Sequence, residues 1–177
     1  MRQVAATLFP HAERRVLECS AFRPVRPFRG VLFEILSAQP VGACVGILVP
    51  IALVEVEVPS AAGHALVAVA DHVNLTLRGP LSGRWSGGTA RAFPALTGVY
   101  QPAVVRARGG ARVYSGGVVV AGVTDVGRLT PFEAGALREA GVFAVSDSLV
   151  PSAIIAAYYG LTLAACGVPS ADDNHEE

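Results

Sequence analysis

The chain has 177 residues, 52% apolar and 16% charged, which fits one domain with a real core and excludes disorder over most of its length. The 14 cationic and 14 acidic side chains cancel, so no basic excess points to a nucleic-acid backbone. Every cation is an arginine, which excludes Schiff-base chemistry on a lysine and a Walker-type phosphate lysine.

Met1 to Phe9 carries no long apolar run, so no signal peptide is expected. Arg14 to Ala21 reads as a short helix, broken by Arg23-Pro24-Val25-Arg26-Pro27. Val31 to Ser37 reads as a second helix with Val31, Leu32, Ile35 and Leu36 on one face. Ala43 to Val49 is a continuous apolar run, as in a buried strand. Beyond Pro50, Ala52 to Val58 alternates, with Leu53, Glu55 and Glu57 opposite Val54, Val56 and Val58; this predicts a separate, half-exposed strand. Ala65 to Ala70 is a further strand after the turn Ser60-Ala61-Ala62-Gly63. Gly79 to Gly98 is rich in Gly, Ser and Pro and reads as a long loop of the kind that carries function.

Val113 to Val123 predicts a strand bulged at Gly116-Gly117. Thr130-Pro131-Phe132-Glu133 opens a helix, with Thr130 at the N-cap, Pro131 at the first helical position and Glu133 closing a capping box. That helix ends before Gly141, and Val142 to Val145 is a short strand. Pro151 to Tyr159 is a helix stopped by Gly160, with at least one of Tyr158 and Tyr159 in the core, and Leu161 to Ala165 is a last strand. Residues 1–170 form one domain, and Ala171 to Glu177 is an acidic, frayed tail. Strands alternating with helices give an α/β class: a single domain with a central mixed sheet flanked by helices.

Cys19, Cys44 and Cys166 are scattered without CxxC spacing, which argues against a disulfide framework or a zinc site and for a reducing, cytoplasmic compartment. Val41 to Val54 is too short to span a bilayer, and Ser148 to Ala171 is broken by Pro151, Gly160, Gly167 and Pro169. No membrane, nucleic-acid, metal or cofactor partner is expected. GxSxG, HExxH and GxGxxG patterns are all missing.

Asp71-His72-Val73-Asn74-Leu75, followed by Gly79-Pro80-Leu81-Ser82-Gly83, resembles the DHINL and NPLxG signature of the purine nucleoside and methylthioadenosine phosphorylases. Arg91-Ala92-Phe93-Pro94-Ala95-Leu96 with Tyr100 is similar to that family's RFPAM segment and the tyrosine after it. Pro131-Phe132-Glu133 resembles its SFE motif, and Val145-Ser146-Asp147-Ser148-Leu149-Val150-Pro151 its VGMSTVP motif. The similarity covers about Val31 to Ser170 and implies the C-terminal part of the nucleoside phosphorylase fold. It also implies a homotrimer, because the family's loop after NPLxG reaches into the neighbouring subunit's site.

The departures fall on the phosphorolytic machinery. The family's GSGLG and RxHxYEG phosphate loops have no counterpart, and Ile47-Leu48-Val49-Pro50 stands where the family has NAAG. Ser148 alone keeps a phosphate-contacting residue type. Asp147 replaces the methionine beside the ribose, Ser152 replaces the glutamate after VP, and the base-binding asparagine falls near Ser170.

The remaining candidates read two ways. Glu133 is either the base-binding carboxylate or a helix cap, and Phe132 either pocket wall or core. His72 is a general base or a hydrogen-bonded structural residue. Asn74 ties down the following loop or meets a ligand. Asp147 follows an apolar strand, where it must be exposed, paired or functional. Trp85, in the Gly/Ser-rich loop, is a lid over the core or part of a site.

Small proteins resembling truncated nucleoside phosphorylases are associated with cyclisation, including cycloaddition, in macrocyclic polyketide pathways. The chain is similar to these cyclases (pericyclases) in size, lost phosphate loops and apolar content. The resemblance implies a cofactor-free enzyme acting on an apolar small molecule. Trp85 and Phe132 would be its walls, with Asn74 and Ser148 also in contact, and His72, Asp147 or Glu133 would orient a carbonyl or hydroxyl. Residual phosphorolysis or nucleosidase activity, with Glu133 and Ser148 in the family roles, and a non-catalytic binding or oligomerisation module are the alternatives.

Overall fold

The computed structural model describes residues 40–54, 65–77, 79–81, 94–105 and 112–169. The helices expected before residue 40, the alternating residues 55–58, Trp85 and the acidic tail lie outside them.

Five strands carry the fold: β1 (Cys44–Leu53), β2 (Ala65–Asn74), β3 (Arg112–Gly122), β4 (Val142–Ser146) and β5 (Thr162–Pro169). They close in the order β1-β4-β3-β2-β5, so the mixed sheet is a barrel. β2, β3 and β4 run parallel to one another, while β1 and β5 are parallel to each other and oppose the rest. Helix α1 (Pro131–Glu139) links β3 to β4, and helix α2 (Leu149–Tyr158) follows β4. Among the described residues no helix is long and apolar enough to cross a membrane.

The expected break at Pro50 does not occur. β1 continues through it to Leu53, with Pro50 paired to Val168 of β5. The Pro50 carbonyl accepts the Ser146 hydroxyl at 2.9 Å, so that residue's polar backbone positions face β4. β4 pairs with β1 only at Ala52 and Leu53, so the missing N–H of Pro50 leaves no ladder bond unmade.

Alternating strand residues build two buried clusters. One joins Ile47, Ile51, Val67, Val69, Val118, Val120, Ala144 and Leu163 to Leu149, Ala153 and Ile155 of α2 and to Val99 and Tyr100. Fully burying side chains of this size contributes roughly 1.5–3 kcal/mol each. The other joins Val54, Ala121, Val123, Val142 and Val145 to Ala134 and Leu137 of α1. Successive β3 residues thus serve different clusters, as a two-residue period requires.

Candidate functional site

A seam in the barrel positions the strongest polar pair. β2 pairs with β5 at Val67 and Ala68 only. Further along, the neighbour of β5 is the segment at Tyr100, bridged to Leu163. Two backbone bonds hold it there, from Gln101 N–H to the Leu163 carbonyl at 2.7 Å and from Leu163 N–H to the Val99 carbonyl at 2.6 Å. Across the gap between β2 and this segment, His72 Nδ1 lies 2.8 Å from the Tyr100 hydroxyl. The two rings meet edge to face, with centroids 5.6 Å apart.

His72 reaches the seam because the strands are irregular. Val67 pairs with Tyr114 and Val69 with Val118, so Ser115, Gly116 and Gly117 oppose Ala68 alone. This is the bulge expected at Gly116-Gly117. A second irregularity was not legible: Val69 pairs with Val118 but Asp71 with Val119, leaving Ala70 unmatched. Val118 and Val120 share a face, so their partners Val69 and His72 share one too. Strict alternation would have turned His72 to the opposite face from Val69. The bulge at Ala70 re-aims it onto the face of the main core, where Tyr100 sits.

Burial sets the protonation of both partners. Desolvation lowers the His72 pKa below its ordinary 6.5, against a smaller upward pull from the Asp71 carboxylate. Desolvation, aided by Asp71, holds the Tyr100 phenol far above its ordinary value. The pair is therefore a neutral imidazole and a protonated phenol at neutral pH. Asp71 itself accepts the His72 backbone N–H at 2.8 Å.

The carboxyl ends of the three parallel strands form one rim, where Asn74 pairs with Gly122 and Gly122 with Ser146. Ser146 is fully buried. It accepts the backbone N–H groups of Ser148 and Leu149, and its hydroxyl lies 3.2 Å from that of Ser148. Ser148 stands at the N-cap position of α2 without a side-chain capping bond, and its carbonyl accepts the Ser152 hydroxyl at 2.7 Å. Asp147, between these serines, is exposed, the first of the three outcomes its position allowed.

Asn74 ties down the loop after β2: its Oδ1 accepts Thr76 N–H at 3.1 Å and the Thr76 hydroxyl at 2.6 Å. Connectivity brings the start of α1 to this same end of the barrel, since β3 and β4 are parallel and α1 is their crossover. There the capping box is complete. Glu133 Oε2 accepts both the N–H and the hydroxyl of Thr130 at 2.8 Å, and Thr130 Oγ1 accepts the Glu133 N–H at 3.3 Å. The Thr130 backbone bond lowers the Glu133 pKa most, with the Thr130 hydroxyl next. Phe132 is 86% exposed, which corrects the core reading for it. Trp85 lies outside the described residues.

Two contributors were missed as site residues. Tyr100 was visible only as part of a motif, because nothing in a 28-residue separation announces contact with His72. Ser146 carried a weak signal, a hydroxyl closing an otherwise apolar strand. Among the described residues no group of three His, Cys, Asp or Glu side chains could hold a metal ion. Cys44 and Cys166 are free thiols, and burial pushes that of Cys166 up to about 12.

Similarity to solved structures agrees with this architecture. The Schistosoma mansoni purine nucleoside phosphorylase in complex with BCX-34 superposes with a TM-score of 0.55 at 19% identity, covering 75% of this chain and 53% of that one. The schistosome enzyme in complex with hypoxanthine gives 0.53 at 20%, covering 71% and 48%. The S. mansoni enzyme with a novel monocyclic inhibitor gives 0.55 at 22%, covering 73% and 52%. The chain has a nucleoside-phosphorylase-like fold. It spans about half the length of these neighbours. No family model and no curated protein matches the sequence.

Proposed function

We propose that the chain is a cofactor-free cyclase of specialised metabolism, shaping an apolar, polyketide-like substrate for intramolecular cyclisation or cycloaddition, with phosphorolysis lost. The observation that carries this reading is the charge of the strand ends. Among the described residues, 71–77, 122–124 and 146–152 include the carboxylates Asp71 and Asp147 and no arginine; Arg78, next in the sequence, lies outside them. Phosphorolysis needs a dianion held in line with the glycosidic bond by N–H and cationic donors, and two carboxylates oppose it.

An uncharged substrate meets no such repulsion. It needs walls that hold a flexible chain in a near-attack conformer and a few hydrogen bonds that fix its direction. Val73, Leu75 and Leu77 expose apolar surface in the stretch that follows His72. In this reading Trp85 and Phe132 extend the walls, and His72, Asp147 or Glu133 orients a carbonyl or hydroxyl. Asn74 and Ser148 complete the contacts. Assembly as a homotrimer would cover exposed apolar residues such as Leu77 and Phe132. Incubation with adenosine, inosine and methylthioadenosine, with and without phosphate, tests the reading. No release of free base is expected, and phosphate-dependent release at ordinary enzyme rates would overturn it.

A further inference from the structure

We propose that Tyr100 is the positioning residue of this site: its hydroxyl donates to Nδ1 of His72, which then presents Nε2–H as a neutral donor to an uncharged carbonyl oxygen of the ligand. The ligand half of this proposal rests on the cyclase reading; the Tyr100 half stands on geometry alone.

Three observations carry it. The first is the 2.8 Å contact between Nδ1 and the phenol oxygen, made across the seam by two residues on separately anchored segments. The second is hydrogen-bond bookkeeping. Tyr100 is 6% exposed, and among the described residues its hydroxyl meets no partner but His72. If Nδ1–H donated to the phenol oxygen, the buried O–H would be left without an acceptor, which is costly. With the phenol as donor, both groups are satisfied and the imidazole proton resides on Nε2. The third is that Nε2 has no protein partner among the described residues, while the ring is only partly covered. Burial keeps the imidazole uncharged, so the donor carries no formal charge. Asp71 stands next to it and disfavours an anionic ligand. A ketone or ester oxygen fits both conditions.

The test is a two-bond proton–nitrogen correlation spectrum of the full nitrogen-15-labelled chain at mildly alkaline pH, with His72 assigned through His72→Gln. The expected result is the Nε2–H tautomer in the wild type and a mixture of tautomers in Tyr100→Phe, which keeps the ring and removes only the donor. An Nδ1–H tautomer in the wild type, or the same tautomer ratio in Tyr100→Phe, overturns the positioning role. Cyclohexenone and cyclohexanecarboxylate, titrated separately, probe the ligand class. Perturbation of the His72 nitrogens by the ketone alone supports it; a response to the carboxylate, or to neither, overturns the carbonyl assignment. Neither spectrum depends on turnover, so a failed product assay would count against the cyclase reading and leave the Tyr100 result standing.

Discussion

Gly117 faces Ala70 across the β2–β3 ladder so closely that a Cβ on Gly117 would stand 2.9 Å from the Cβ of Ala70. Gly117 also has φ +70, a region that strains other residues. These two positions make the paired irregularities that turn His72 towards Tyr100. Gly117→Ala is therefore expected to lower stability by about 1–3 kcal/mol through backbone strain. It should also shift the ring nitrogens of His72, although His72 lies on the other strand. A urea melt and a nitrogen-15 spectrum on the same variant check this; an unshifted His72 with native stability would separate the bulge from the site.

The lowered His72 pKa carries a sign for stability. The folded state binds fewer protons at this ring than the unfolded chain does, so the neutral ring favours folding fully above pH 6.5. That advantage is lost as pH falls from 6.5 through the folded value, with Asp71 and Tyr100 the ionisable neighbours facing the ring. Melting temperature is expected to decline over that window, and His72→Gln should flatten the decline. An equally steep decline in the variant would place the effect elsewhere.

The Thr130–Glu133 capping box is expected to act as one unit. Thr130→Ala should cost about 0.5–2 kcal/mol, and adding Glu133→Ala should cost less than the sum of the two single changes. Denaturant melts of the double-mutant cycle read this out. Glu133 has its pKa lowered by Thr130, so its contribution is present above pH 4.5 and lost below it as the carboxylate protonates. Full additivity would mean the carboxylate does not act through Thr130.

Gly122 sits at the rim where α2 presses closest, and a Cβ there would collide with Val150. Gly122→Ala should overpack this contact, costing typically 1–3 kcal/mol, about what an overfilled core loses. It should also disturb the Ser146–Ser148 hydrogen bonds, and faster exchange of the Ser148 and Leu149 amides would report that. Unchanged exchange and stability would show that α2 yields freely.

The elements that sequence foretold are those set by local chemistry. Thr130, Pro131 and Glu133 carry the start of α1 within four consecutive residues, and the glycine pair at 116 and 117 announces its bulge. The elements it missed depend on partners far away in the chain. Pro50 reads as a break until its pairing with Val168, and the lack of a β4 ladder pair for it, are known. Ala70 has no local signature of a bulge, and without it alternation points His72 the wrong way. Tyr100 becomes a partner of His72 only because β2 leaves β5 after Ala68. Closure of the strands into a barrel is likewise a property of register, to which hydrophobic pattern is blind.

Product analysis with a linear polyene ester that bears a tethered dienophile asks whether the protein cyclises an apolar ligand beside His72 without a cofactor. Wild-type protein, His72→Gln and buffer are compared by chiral chromatography with mass detection. Intramolecular cycloaddition converts two π bonds into two carbon–carbon σ bonds, shifts the remaining diene π bond and leaves the mass unchanged, so the signal is a new isomer with the polyene absorbance lost. One enantiomer in excess is expected with wild-type protein, and a rate at least about tenfold lower, or ~1.4 kcal/mol, in His72→Gln. A racemic product at the buffer rate, or equal rates for wild type and His72→Gln, would contradict it.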